Sequence, residues 1–294
     1  MFNQQEKTFT ARFRNVLTAR QSLLCVGLDP EMEKLPSGLP RTAHGLVRFC
    51  QEIIAATATF AAAFKINFAF FEALGNLGWS ALAEVAAALP AATIRIADAK
   101  RGDIANSARL YAQAVFQELP FDAVTVNPYL GEDAALPFLE NPAKGAFFLC
   151  RTSNPGSGVI QHFPNTIAGG SHTPLYLHVA EQVTRWNAKD NAGLVVGATH
   201  PAELLKIREK CPHLPLLIPG VGAQGGDLAS AVRVGATPAG NLAVINASRS
   251  IIYADFSKNF AEAAARQAES LRNQMRACLN TPASLSTIGI IETG

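Results

Sequence analysis

The segment IADAKRGDI, residues 96–104, sets two carboxylates and an ammonium close together in the chain. Asp98 and Lys100 lie two residues apart behind an apolar run, so in extended backbone their side chains share a face. Asp103 follows after Arg101 and Gly102. A carboxylate holding an ammonium beside it, with a second carboxylate in reach, can move a proton or stabilise charge developing on a ligand. A solvated ion-pair cluster at a helix start would use the same residue types, with Asp103 as the N-terminal charge. The apolar run favours a site, because charges set against buried strands are costly unless paired. Lys65, inside the run AAAFKINFAF, is another such charge.

A second pattern addresses anions. In PGVGAQGGD, residues 219–227, Gly220, Gly222, Gly225 and Gly226 would let backbone N–H groups approach a phosphate. Gln224 can donate from its amide, and Arg249 in INASRSII can grip two phosphate oxygens at once. The segment RTSNPGSG, residues 151–158, admits two readings. Ser153 can bond a polar ring edge from a ligand-covering loop, or it can cap an ordinary turn. The six histidines show no metal-ligand spacing, and neither a G-x-S-x-G elbow nor a Walker loop occurs.

These residues need a scaffold that brings strand ends together. Eight short apolar runs read as buried parallel strands: Ser22–Leu28, Ala62–Phe68, Thr93–Ala97, Ala123–Val126, Ala146–Cys150, Gly193–Gly197, Pro215–Ile218 and Leu242–Ile245. Helical spacing fills most gaps, at Thr42–Ala58, Trp79–Leu89, Ala105–Leu119, Pro174–Asn187, Pro201–Lys210 and Gly226–Val234, and Phe256–Arg276 closes the series. Strands alternating with helices imply a parallel sheet, and eight units fit a single-domain α/β fold, the (β/α)8 TIM barrel, over residues 1–294. An open doubly wound sheet usually has fewer strands and a Gly-rich first turn, whereas the first turn here is GLDPEME. A helical extension over about 1–20, an irregular loop over Asn154–Thr173 and a weakly structured tail over about 280–294 are expected.

In such barrels the active site lies at the C-terminal strand ends, with phosphate held after strands seven and eight. Asp29, Asp98, Asn127-Pro128, Thr152-Ser153, Pro219-Gly220 and Ser248-Arg249 all follow apolar runs at that end. Bulk composition agrees with a folded globular chain. Apolar residues make up 49% and charged residues 16% of 294, enough for a large core. A net charge of +2 is too small for a nucleic-acid surface. Five widely spaced cysteines without C-x-x-C read as buried reduced thiols in a cytoplasmic protein. No secretory signal and no uninterrupted membrane span is expected.

Taken together, IADAKRGDI, PGVGAQGGD and the SR of INASRSII resemble the orotidine 5'-phosphate decarboxylases. FKINFAFFEALG, VNPYLGEDAALPFL, LCRTSNPGSG and GLVVGATHPAEL are similar to the longer bacterial group of that family. The likeness runs from about Leu23 to Tyr253. It implies release of CO2 from orotidine 5'-phosphate to give uridine 5'-phosphate, the last step of pyrimidine nucleotide synthesis, without metal or organic cofactor. Lys100 then corresponds to the lysine that protonates C6 of the pyrimidine, and Asp98 to the carboxylate facing the substrate's own. Asp103 corresponds to an aspartate contributed across a homodimer interface, with Ser107 nearby where the family usually has threonine. The resemblance further implies that Lys65 would link the charged row to the ribose, Asp29 would bind a ribose hydroxyl and Ser153 would meet the pyrimidine edge. On the same resemblance Gln224 and Arg249 would hold the phosphate, and Pro219 would line the apolar side near the departing carboxylate. No nucleic acid or membrane partner is implied.

Two other readings differ in testable ways. Related sugar-phosphate enzymes, 3-keto-L-gulonate 6-phosphate decarboxylase and hexulose-phosphate synthase, share D-x-K-x-x-D but use magnesium and carry an acidic residue where this chain has Lys65. A non-catalytic phosphate-binding barrel would need Gln224 and Arg249 but not the charged row.

Overall fold

The computed structural model describes residues 7–166, 172–222 and 225–280. Its strands are β1 (Leu24–Leu28), β2 (Ala63–Asn67), β3 (Ile94–Arg101), β4 (Ala123–Val126), β5 (Gly145–Arg151), β6 (Pro164–Thr166), β7 (His172–Pro174), β8 (Ala192–Val196), β9 (Leu216–Ile218) and β10 (Ala243–Ala247). All but β6 and β7 are parallel and close into a barrel in the order β1-β10-β9-β8-β5-β4-β3-β2. The eight apolar runs are therefore the eight barrel strands. Five of them, β1, β4, β8, β9 and β10, are buried along their whole length, which is why they read as continuous apolar runs rather than as alternation.

The helices are α1 (Phe9–Arg20), α2 (Ala43–Thr57), α3 (Ala69–Glu72), α4 (Asn76–Ala87), α5 (Ala105–Gln113), α6 (Glu132–Leu139), α7 (Gly158–Gln161), α8 (Leu175–Trp186), α9 (Pro201–Lys210), α10 (Leu228–Gly235), α11 (Arg249–Ile252) and α12 (Phe260–Asn280). Three differences from the sequence reading have physical reasons. Helix α6 goes unread because Pro137 lies inside it, and an internal proline normally argues against a helix. The span expected as one irregular loop, Asn154–Thr173, instead holds a 3-10 turn at Pro155–Ser157, helix α7 and the antiparallel hairpin β6–β7. Strand β3 runs four residues beyond the expected Ala97, because its register with β4 shifts between Ala97 and Arg101 and pairing then resumes. Of the five thiols, Cys25, Cys50, Cys150 and Cys211 are buried, but Cys278 is partly exposed; all five are unpaired. The tail after Asn280 lies outside the described residues. No helix among them is long and apolar enough to cross a membrane.

Helix α1 seals the N-terminal end of the barrel. The rings of Phe9 and Phe13 pack against Phe147, with centroids 5.8 and 6.0 Å away. Gly145 makes this possible, since a Cβ there would meet the Phe9 ring at 2.4 Å. Arg12 reaches the buried Asp122 at 2.6 Å, and Arg95 reaches it at 2.9 Å. Burial alone would raise the Asp122 carboxyl, but the bonds from Arg95 and Arg12 hold it below the usual carboxylate range. With this end sealed, ligand access falls to the opposite face.

Candidate active site

At that opposite face the strand ends enclose a cleft of about 290 Å³. Side chains that point inward sit two residues apart along each strand. Asp29, Lys65, Asn67, Asp98, Lys100 and Thr125 line one side, with Leu149, Val195, Leu217 and Pro219 opposite, and alternation accounts for pairs such as Lys65 and Asn67. Polar groups of Ser153, Asn246, Ser248 and Arg249 complete the wall. The result is a cleft with one charged flank and one apolar flank.

The charged flank is a continuous row. Lys65 Nζ lies 2.8 Å from Asp98 Oδ2 and 3.7 Å from Asp29 Oδ1. Lys100 Nζ lies 2.6 Å from Asp98 Oδ1, and Thr125 Oγ1 donates to the same oxygen at 3.0 Å. Burial works against the charge on Lys65, but Asp98 and Asp29 outweigh it and hold the ammonium well above the ordinary lysine range. Burial likewise opposes the charge on Asp98, but Lys65 and Lys100 hold its carboxyl well below the ordinary carboxylate range. Both groups are thus fixed in their charged forms. Lys65 is 4% exposed whereas the Lys100 side chain is 51% exposed, so Lys100 is the ammonium that a ligand in the cleft can reach.

Asp98 and Lys100 meet as their spacing predicts, but by another route. Lys100 has φ +46°, in the left-handed region, within the β3 irregularity. Alternation in a regular strand is not what aligns the two side chains.

Each remaining candidate has a definite place. Asp29, Ser153, Pro219 and Arg249 line the cleft. Ser153 fits closely because Gly197 faces it; a Cβ on Gly197 would come within 2.9 Å of the Ser153 backbone. Asp103 and Ser107 are not brought into the cleft of their own chain. Asp103 Oδ1 accepts the Ile104 N–H at 2.8 Å on the outer rim, and Ser107 is exposed on the first turn of α5. Gln224 lies outside the described residues. The glycine loop differs from expectation in one respect. The N–H groups of Gly222, Gly225 and Gly226 donate to Gly226 O, Gly222 O and Gly220 O. These three amides are bonded within the loop, and Arg249 is the cation that lines the cleft beside it.

Several cleft residues escape the motif reading. Thr125, Asn67 and Asn246 sit within apolar strands; only their inward parity marks them. The network around Arg151 was also missed. This buried guanidinium pairs with Glu203 of α9 and donates to Thr152 O at 2.8 Å, Ser157 Oγ at 2.5 Å and Gln161 Oε1 at 3.1 Å. It ties the segment carrying Ser153 and Asn154 to α9. Arginine directly after an apolar strand was the available signal.

Comparison with known proteins agrees with this geometry. The family model described as orotidine 5'-phosphate decarboxylase / HUMPS family matches residues 22–266. A protein of Herpetosiphon aurantiacus called orotidine 5'-phosphate decarboxylase is 48% identical over 262 residues, covering 89% of this chain and 95% of its own. A protein of the same name from a Roseiflexus species is 51% identical over 265 residues, covering 89% and 96%. The solved OMP decarboxylase of Leishmania donovani superposes with a TM-score of 0.79 at 38% identity, over 92% of this chain and 99% of its own. With a barrel of this topology, a charged row on its strand ends and likeness over nine-tenths of its length, the chain belongs to the orotidine 5'-phosphate decarboxylase / HUMPS family.

Proposed function

We propose that the cleft binds orotidine 5'-phosphate and converts it to uridine 5'-phosphate and CO2, completing pyrimidine nucleotide synthesis in the cytoplasm. The observation that carries this reading is the Lys65–Asp98–Lys100 row, a largely buried carboxylate clamped between two ammonium groups and ending on an exposed lysine. The bond from C6 to the carboxylate carbon breaks, its electron pair stays on C6, and CO2 leaves toward the apolar flank at Pro219. Lys100 stabilises that pair and then delivers its proton to C6; solvent recharges the amine. A preorganised charge acts strongly on the transition state because no dipole has to reorient as charge develops. Asp98 faces the substrate carboxylate and keeps Lys100 in place. Lys65 and Asp29 continue the row toward the ribose, Ser153 meets the pyrimidine edge, and Arg249 with Gln224 holds the phosphate. The remote phosphate anchor contributes binding energy that aligns C6 with Lys100.

The functional unit in this proposal is a homodimer. Asp103 and Ser107 stand outside their own cleft, beside Ile104 and Leu110, which are 58% and 56% exposed. A second copy covering this apolar rim would carry its Asp103 to the neighbouring Lys100.

The metal-dependent branch of the family fits this donor set poorly. A divalent cation takes several oxygen ligands. Here the Lys65 ammonium already lies between Asp29 and Asp98, and among the described residues no three His, Cys, Asp or Glu side chains group to hold a metal. The test is loss of orotidine 5'-phosphate absorbance with excess EDTA present. Rapid, chelator-insensitive turnover is expected. Absence of turnover by folded dimer, or activity on a sugar phosphate that EDTA abolishes, refutes the assignment.

A further inference from the structure

We propose that Thr125 is a positioning residue for the reaction: its hydroxyl couples the backbone of Lys100 to the carboxylate of Asp98. The proposal rests on the decarboxylase reading for its kinetics, but not for its structural test.

Four observations converge. First, β3 and β4 pair as Ala97 with Val124, then not again until Arg101 with Val126, so Asp98 to Lys100 lie in an irregularity of the ladder. Second, Lys100 occupies φ +46°, a region disfavoured for a residue with a Cβ. Third, the Lys100 N–H donates to Thr125 Oγ1 at 2.9 Å, a side-chain acceptor rather than a strand carbonyl. Fourth, the same Oγ1 donates to Asp98 Oδ1 at 3.0 Å, the oxygen that also receives Lys100 Nζ at 2.6 Å.

A hydroxyl has one proton to give and lone pairs to accept with. Giving its proton to Asp98 turns a lone pair toward the Lys100 amide, so both bonds fix one rotamer. Threonine is restricted at χ1, and Thr125 is 1% exposed. The triangle Thr125–Lys100–Asp98 thus holds both the backbone that aims the proton donor and the carboxylate that receives its ammonium. Thr125 itself touches no reacting atom under this reading. Valine has nearly the same shape and neither bond. Serine keeps both bonds.

The test compares Thr125→Val and Thr125→Ser with the wild-type dimer. Thr125→Val should lower kcat by about 10- to 100-fold while KM and the Kd of uridine 5'-phosphate stay within about twofold, since phosphate and ribose contacts are untouched. Thr125→Ser should recover kcat to within about threefold of wild type. Hydrogen exchange at the Lys100 amide should be at least about tenfold faster in Thr125→Val, with protection retained in Thr125→Ser. A kcat unchanged by valine, a serine variant as impaired as valine, or an amide still protected in Thr125→Val overturns the proposal. Wild-type protein that fails to turn over orotidine 5'-phosphate overturns the decarboxylase reading instead, and the exchange measurement still decides whether Thr125 holds Lys100.

Discussion

Replacing Lys65 with methionine keeps most of the side-chain volume and removes the charge. At an effective dielectric near 20, its attraction to Asp98 at 2.8 Å is about 6 kcal/mol and to Asp29 at 3.7 Å about 4.5 kcal/mol. Desolvation of an ammonium only 4% exposed offsets much of this. The variant, however, leaves the desolvation of Asp98 and Asp29 in place without the compensating charge. Asp29 Oδ1 makes no hydrogen bond among the described residues, and the half-exposed Lys100 replaces Lys65 only in part. Breaking a buried pair by removing one partner costs about 3–5 kcal/mol, which is the loss expected at pH 8 in reversible urea unfolding.

The pH dependence is the sharper assay. In the wild type Asp98 titrates below its unfolded value, so its contribution is present above the ordinary carboxylate range and is lost as pH falls through the depressed value. Lys65 titrates above its unfolded value, so its contribution is present below the ordinary lysine range and is lost as pH rises through the raised value. Between about pH 5 and 9 the pair adds no slope. In Lys65→Met the Asp98 carboxyl loses one of the two ammonium groups that hold it down, while Lys100 stays 2.6 Å away, so its depression is smaller than in the wild type. The variant's deficit should therefore hold steady from pH 8 to about pH 5 and shrink as pH falls further through the carboxylate range, where the wild type loses the larger contribution. A deficit below about 1 kcal/mol at pH 8, or one that does not change with pH, refutes the electrostatic account of the row.

Three other outcomes are expected. Arg249→Ala should weaken uridine 5'-phosphate binding by about 10- to 100-fold, the equivalent of one or two charge-assisted hydrogen bonds, measured by calorimetry. Lys100→Ala and Asp103→Asn should each be nearly inactive alone, yet regain activity when the two variants are mixed and allowed to exchange subunits; no recovery argues against a shared site. Asp122→Asn, far from the cleft, should lower unfolding free energy by about 3 kcal/mol while leaving the kcat of the folded fraction unchanged, by denaturation and steady-state assay.

How much of this was legible varies with the kind of signal. The barrel strands were readable because burial on both faces writes continuous apolar runs, and their order follows from right-handed crossovers. Lys65 and Asp98 stood out because charge in such a run needs a partner. Thr125 did not stand out, since a lone threonine in AVTV is compatible with an ordinary strand; its role depends on an irregularity in the neighbouring strand that no local pattern announces. Helix α6 was hidden by Pro137, and the hairpin β6–β7 by a composition rich in Gly, Pro, Ser and Asn. Asp103 stood out as a second carboxylate near Asp98 and Lys100, whereas its place at an interface, and Ser107, came from resemblance; the single chain leaves both on the rim.

The seal formed by α1 has a consequence for how the molecule can be tethered. Leu17 and Gln21 share a pocket with Leu279 and Asn280, so the described chain enters and leaves at one pole, and the cleft opens at the other. A linker, immobilising support or fused domain joined at either end of the described barrel hangs from the blind side. Nucleotide traffic through the open mouth is left unobstructed by such an attachment.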